Sequence, residues 1–578
     1  MNYRSVWRPS RDEVVARNGA VASLNPLATE VGIDILKAGG NAIDATVGMG
    51  FCLAVVEPMM SSIAGHGQML LHVDGKLWSL DYSHRAPKGA TPDMYTVSGD
   101  SAGAIGIFSV KGRANEIGYQ SVGVPGVTAG LCDAHELFGT LPMEQLLEPA
   151  VHYAENGFTS DWYTSLRISD AMASFVKYGE AAKIFLPNGY PPISETDRVV
   201  QRDLGYILRQ IAKKGKSALY EGEIPRAIED DMKQKGGLLR VEDFSDYQVQ
   251  VCEPVSVSYR GHEIIGMPLV GGGITQLQTL NILENFNIDS LEHNSPEMIH
   301  LFLEIARHAF SDRYYFLGDP EFVNVPIRSL LSESYAKNIS NQINREHTSF
   351  ESQLTGEPWL RFLGETPHPL PECDEQTSQL DFTLNPSYPS SKDCTTHFGV
   401  IDGNHNMVAC TQTAVGNFGS AVITPGTGIL FSNGMLTFNP TSGAANSISG
   451  FKRSVNNMGP LLVLREGSPY LNLGAPGGRK IINCVTQIVM NVLDYRMGIQ
   501  EAITAPRVDG SGKTTLIDSR IDHSTISALS KKGHSIEVVD ESPAQSNFAR
   551  PVGLMIDPQS GNIHAGADVF RNAQARGY

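Results

Sequence analysis

The sequence predicts an α+β protein, with helices and strands built into one body. Three patterns predict it. Helix-type apolar spacing fills residues 25–58 and dominates again from about 123 to 350. Strand-type alternation resumes abruptly after residue 393. No segment repeats with a period of 20–50 residues, so a solenoid or propeller is not supported. A chain of 578 residues has length for roughly three or four domain-sized units, although large enzymes often fuse that much chain into one body.

Taken in order, Leu27, Val31, Ile35 and Leu36 mark one face of a first helix, which Gly39-Gly40 ends. Asn41 caps a second helix running toward Glu57-Pro58. Its apolar run Val47–Val56 is about half of a ~20-residue membrane span. The runs MLLHV and KLWSLDY then read as a hairpin turned at Asp74-Gly75. Helices follow, as at Glu144–Glu155 and Pro296–Phe316, with a strand pair near 250–267 and the triplet Gly271–Gly273. Residues 352–393 are rich in Pro and Ser and read as an exposed linker. THFGVID and NMVACTQT are the strands beyond it.

Composition narrows the function. The formal net charge of −17 argues against nucleic-acid binding. The N-terminus lacks the apolar stretch of a signal peptide, and the seven cysteines are scattered without a CxxC. A soluble cytoplasmic protein with reduced thiols, without a membrane partner, is the expectation. The 57 glycines imply close backbone approach in many places. Ser511-Gly512-Lys513-Thr514 resembles the end of a phosphate loop, but Arg507 stands where its first glycine belongs. His66, His72 and His84 have no metal-ligand spacing and are expected on the surface or internally satisfied. No metal or organic cofactor is expected.

The junction Lys392-Asp393-Cys394-Thr395-Thr396-His397 carries the most chemistry. By spacing alone, Thr395-Thr396 is a β-branched strand start. Cleavage of the Cys394–Thr395 bond would instead give Thr395 a hydroxyl and a free amine on adjacent carbons. Such an amine, with a pKa of ~7.7–8, serves as the base for its own hydroxyl. The flanking motifs include NPLATEVGIDILKAGGNAIDATV, GVPGVTAG, AFSDRYYFLGDP, TTHFGVID, PGTGILFSNGM, MGPLLVL and GAPGGRKI. On these, the chain resembles the gamma-glutamyltranspeptidase family of N-terminal-nucleophile (Ntn) hydrolases over nearly its whole length.

The resemblance implies a four-layer αββα sandwich and autocatalytic cleavage at Cys394–Thr395. It implies a large subunit of residues 1–394 and a small one of 395–578, possibly in a dimer of such heterodimers. Thr395 becomes the nucleophile, Thr413 its hydrogen-bonding neighbour, and Gly477-Gly478 the oxyanion hole. The partner is a small-molecule amide.

The chain departs from the family at the substrate head group. A family Arg is Ser83, with Arg85 two residues on. The family's acidic pair is Leu436-Thr437, its Ser-Ser pair is Asn456-Asn457, and an Asn after the matched threonine is Val415. An α-ammonium would lose its ionic partner. Arg85, Arg453 and the two asparagines suggest instead an anionic or polar acyl group without an α-amine. The reading is an acylase; a true glutathione hydrolase, using Arg85 and Thr437, and an uncleaved binding protein are the alternatives.

Overall fold

Strand alternation sorts the core into layers. The computed structural model describes residues 9–98, 108–193, 197–268, 270–349, 393–512 and 514–578, so nearly all of the expected linker lies outside the described residues. Two seven-stranded antiparallel sheets dominate. Numbered along the chain, their strands begin with β1 (Val14–Ala16), β2 (Gly19–Ser23), β3 (His66–Val73) and β4 (Lys76–Tyr82). Next come β5 (Gln250–Cys252), β6 (Val255–Tyr259), β7 (His262–Gly266), β8 (Asp393–Asp402) and β9 (Met407–Gly416). The last are β10 (Leu461–Arg465), β11 (Ser468–Gly474), β12 (Val552–Ile556), β13 (Ile563–Ala567) and β14 (Gln574–Gly577). The first sheet has the order β14-β2-β8-β9-β3-β4-β5 and the second β1-β13-β12-β11-β10-β7-β6.

Between the sheets, Leu70, Ile401, Met407 and Ala409 meet Ile265, Leu462, Leu464 and Leu554. The alternate residues Met69, Leu71, Phe398 and Val400 face the helices α1 (Pro26–Lys37) and α2 (Ala42–Val56). On the far side, Leu461, Val463, Leu471 and Leu473 pack on α3 (Gly273–Leu283), α4 (Pro296–Phe316) and α5 (Lys480–Leu493). A period of two along each strand thus yields four layers, α-β-β-α.

The local signals hold the first helices in place. Asn25 caps α1, accepting from the Leu27 N–H at 3.0 Å. Asn41 and Asp44 form a reciprocal capping box at the start of α2. Every residue of α2 is buried, which explains its apolar run as core. No helix among the described residues is long and apolar enough to cross a membrane.

Candidate active site

Thr395 lies on β8, two residues before His397 and on the face toward the second sheet. The His397 ring packs on Gly474 of β11, where an added Cβ would come within 2.3 Å of it. The pairing of β8 with β9 shifts register between Cys394 and Thr396, a bulge at the junction itself.

Three hydroxyl and backbone contacts meet there. The Thr395 hydroxyl donates to Thr413 Oγ1 at 3.3 Å, and the Thr413 hydroxyl donates to the Cys394 carbonyl oxygen. The Val415 N–H donates to Thr413 Oγ1 at 2.8 Å. Val415 has a φ of 75°, which a β-branched residue rarely adopts and which costs about 1–3 kcal/mol. Strain is therefore stored directly opposite Cys394, at the junction. Gly65 is obligatory beside it, because a Cβ there would stand 2.6 Å from the Thr413 carbonyl.

No charged group takes part in these contacts. His397 is fully buried, hydrogen-bonded through Nδ1 to Thr411 Oγ1 at 2.8 Å, and burial pushes its pKa down to about 3. It is a neutral packing residue. On the helix side of β8, Glu57 pairs with Arg571 at 3.2 Å, yet burial pushes its carboxyl up to about 7. In the sequence, Glu57 marked only a helix end.

Gly477 and Gly478 lie between β11 and α5, with φ of 144° and 59°. A Cβ on Gly477 would collide with Ala549 Cα at 2.6 Å. Among the described residues, neither glycine N–H meets an acceptor. Two unengaged amides next to a helix start suit an anion.

The residues that the resemblance assigns to the substrate head group gather at the other end of the same sheet, around β4. Ser83 Oγ donates to Asp81 Oδ1 at 2.5 Å and accepts from Asn456 Nδ2 at 3.1 Å. Arg85 meets Glu321 with two bonds of 2.9 Å and also donates to the Phe451 carbonyl. Arg453 binds Asp319 at 2.6 Å, Glu321 at 3.1 Å and Asp81 at 3.4 Å. Asp319 is held below the usual carboxylate range: burial opposes its charge, but Arg453 outweighs burial. Glu321 is lowered chiefly by its bonds to Arg85.

Both arginines are thus committed to acids of this chain. A substrate anion would have to displace Glu321, the one acid of the three that is exposed, at 44%. Asn457 Oδ1 accepts from the buried Arg313 at 3.2 Å, and burial lowers the Arg313 pKa to about 10. Thr437 shares a hydrogen bond of 2.5 Å with Ser454 Oγ and lies 3.4 Å from His84 Nε2.

The histidines correct the sequence reading. His66, His72 and His84 are all buried, and neither ring nitrogen of His66 has a hydrogen-bond partner. They are not surface residues, and His66 is not satisfied. A different set, His300, Glu304 and His534, brings potential metal-ligand atoms within 4.8 Å of one another. Those atoms are already engaged. The two histidines bond each other at 2.7 Å, Arg307 donates to His534 Nδ1 at 3.2 Å, and Glu304 accepts from Thr348 Oγ1 at 2.7 Å. A guanidinium at that place repels a dication, and the cluster is a hydrogen-bond network joining α4 to residues 344–349.

Comparison with known proteins identifies the family. The model of the family described as Gamma-glutamyltranspeptidase matches residues 28–578. The Acylase ACY 1 proenzyme of Pseudomonas sp. (strain V22) is 37% identical, covering 90% of this chain and 87% of that one. The glutathione hydrolase proenzyme of Bacillus subtilis (strain 168) is 34% identical, over 97% and 92%. The crystal structure of cephalosporin acylase from Bacillus halodurans superposes with a TM-score of 0.83 at 27% identity, covering 100% and 98%. The chain therefore belongs to the gamma-glutamyltranspeptidase family and is a threonine-nucleophile amidohydrolase with the Ntn-hydrolase fold.

Proposed function

We propose that this chain is an acylase: it hydrolyses a small amide whose acyl group lacks the α-amine, through an acyl-enzyme on Thr395. The contact that carries the reading is the run from Thr395 Oγ1 to Thr413 Oγ1 to the Cys394 carbonyl. It is arranged for the protein's own first acyl transfer. The Thr395 hydroxyl attacks the Cys394 carbonyl, while the Thr413 hydroxyl, donating to that oxygen, stabilises the charge that develops there. The nitrogen of Thr395 leaves as the amine, and the resulting ester is hydrolysed by water. That separates 1–394 from 395–578 and frees the amine.

In the mature enzyme the amine takes the hydroxyl proton as Thr395 attacks the substrate carbonyl. The Gly477 and Gly478 amides receive the oxyanion, and the proton passes to the departing amine of the substrate. Water repeats the attack on the ester and releases the acid; an amine acceptor gives transfer instead.

Support for the missing α-amine comes from Leu436 and Thr437, which stand where an ammonium would need acids. The likeness to two acylases points the same way. Rates with glutaryl and γ-glutamyl anilides test the reading. The glutaryl anilide should be turned over at least tenfold faster, and a preference for the γ-glutamyl substrate would sink it. Hydrolysis of glutathione is the second reading, favoured by the match to the Bacillus subtilis protein over nearly the whole chain. It would need Arg85 and Thr437 to bind the head group.

A further inference from the structure

As oxyanion donors, Gly477 and Gly478 must keep their N–H groups in one direction, and glycine leaves that direction soft. A hydrogen bond on the other side of the same peptide holds it. The Pro476 carbonyl and the Gly477 N–H belong to one planar trans unit and point opposite ways. The Arg550 N–H donates to the Pro476 carbonyl at 2.9 Å, so whatever fixes the Arg550 backbone aims the Gly477 N–H. The bond also polarises that peptide and strengthens its N–H as a donor. Ala549, one residue earlier, packs so closely on Gly477 that an added Cβ would come within 2.6 Å of Ala549 Cα.

The Ala549–Arg550 backbone is fixed in turn by a loop closed on itself. Residues 541–550 hold no helix or strand. Glu541 accepts from the Phe548 N–H at 2.6 Å and pairs with the Arg550 guanidinium, both side chains being buried. The same guanidinium donates to the carbonyls of Ser542, at 3.0 Å, and of Gln545. Its carbon lies 5.1 Å from the centre of the Phe570 ring. The loop is thus wound around one buried cation, which Glu541 meets directly and Asp568 at 3.8 Å. From the other side, Arg507 reaches the Ala549 carbonyl at 3.4 Å.

We propose that Glu541 is a positioning residue for amide hydrolysis: through Arg550 it holds the Pro476–Gly477 peptide, and so the oxyanion donors, in the direction the transition state needs. This rests on the oxyanion role of Gly477 and Gly478 and not on the identity of the acyl group. Without the Glu541 charge the guanidinium is held less firmly, and the loop loosens at the end that bears on Pro476. Binding of the planar amide is little affected, because the oxyanion exists only in the transition state and the tetrahedral intermediate. Cleavage at Cys394–Thr395 is spared as well, since the Thr413 hydroxyl serves that carbonyl.

The test is Glu541→Gln, which keeps an acceptor for the Phe548 N–H and removes the charge. Assays run at pH 8, above the value of about 7 to which burial, opposed by Arg550, raises the Glu541 carboxyl. The substrate is the glutaryl or γ-glutamyl anilide, whichever the parent turns over faster, and the probe is the boronic acid with the same acyl chain. Its boron bonds Thr395 Oγ1 and puts an oxygen where the oxyanion forms. E541Q should be cleaved as fully as the parent and keep KM within about twofold, while kcat per cleaved chain and affinity for the boronic acid each fall about tenfold. Glu541→Asp, which keeps the charge on a shorter arm, should fall between. Unchanged kcat and boronic-acid affinity in E541Q overturn the proposal. So does a loss of cleaved chain with full activity in what remains, which is a folding role. Gly477→Ala separates the two levels. If it also leaves boronic-acid binding unchanged, the oxyanion assignment fails; if it weakens that binding while E541Q does not, only the role of Glu541 fails.

Discussion

The two ends of the first sheet's inner face, at β8–β9 and at β4, are built on opposite principles. At the end that holds Thr395, the groups in contact are the hydroxyls of Thr395 and Thr413 and the Val415 amide, all uncharged, and His397 is held neutral by burial. At the β4 end, two arginines and three acids are locked together, and four of those five side chains are buried. The first end must let charge appear and vanish during reaction, which favours fixed dipoles over fixed charges. The second end must not move, and a closed ion-pair network in a low-dielectric setting resists rearrangement. Reactivity and rigidity are assigned to different ends of one sheet face.

Substitutions at each end should separate these roles. The largest effect is expected for Thr395→Ala, with no cut chain on denaturing electrophoresis and a loss of turnover of at least ~10⁴-fold. A small subunit found by N-terminal sequencing in that variant would overturn the assignment. Arg453→Met comes next, because it strands Asp81 and Asp319 without their buried cation. It should cost about 3–5 kcal/mol in urea unfolding. A loss below ~1 kcal/mol would mean that water or another group already satisfies these acids. Gly477→Ala should act on rate, lowering kcat about 10²-fold with KM little changed, since the added methyl displaces an oxyanion donor against Ala549. Equal loss in kcat and stability would instead make that glycine a packing device.

The same division explains what was legible in the sequence. The Thr395–Thr413 contact joins residues of short motifs on adjacent strands, whereas the role of Gly477-Gly478 rests on the family motif. The α2 caps were equally local. The β4 end was not legible, because its partners come from far apart: Asp81 with Arg453, and Arg85 with Glu321. Arg85 and Arg453 looked available to a substrate anion only while their acids were unseen. The burial of His66 was not legible either, because ligand spacing says nothing about which sheet face a strand residue takes. Strand parity would have placed it beside Thr413, had the register of β3 on β9 been known.

The order of the first sheet bears on what happens after a cut between Cys394 and Thr395. Strand β2, from before the junction, lies between β14 and β8, both from after it, while β9 continues into β3. The second sheet is mixed as well: four strands from after the junction are flanked by β1 on one side and by β7 and β6 on the other. The two products would therefore be woven together, each supplying strands that complete the other's ladders. Neither piece carries a whole sheet, so pulling them apart means unfolding both. Denatured mature enzyme would then have to reassemble from two chains, an encounter the precursor never faces. Such an enzyme folds once, as one chain, and its working lifetime is set by how slowly it comes undone rather than by any return path.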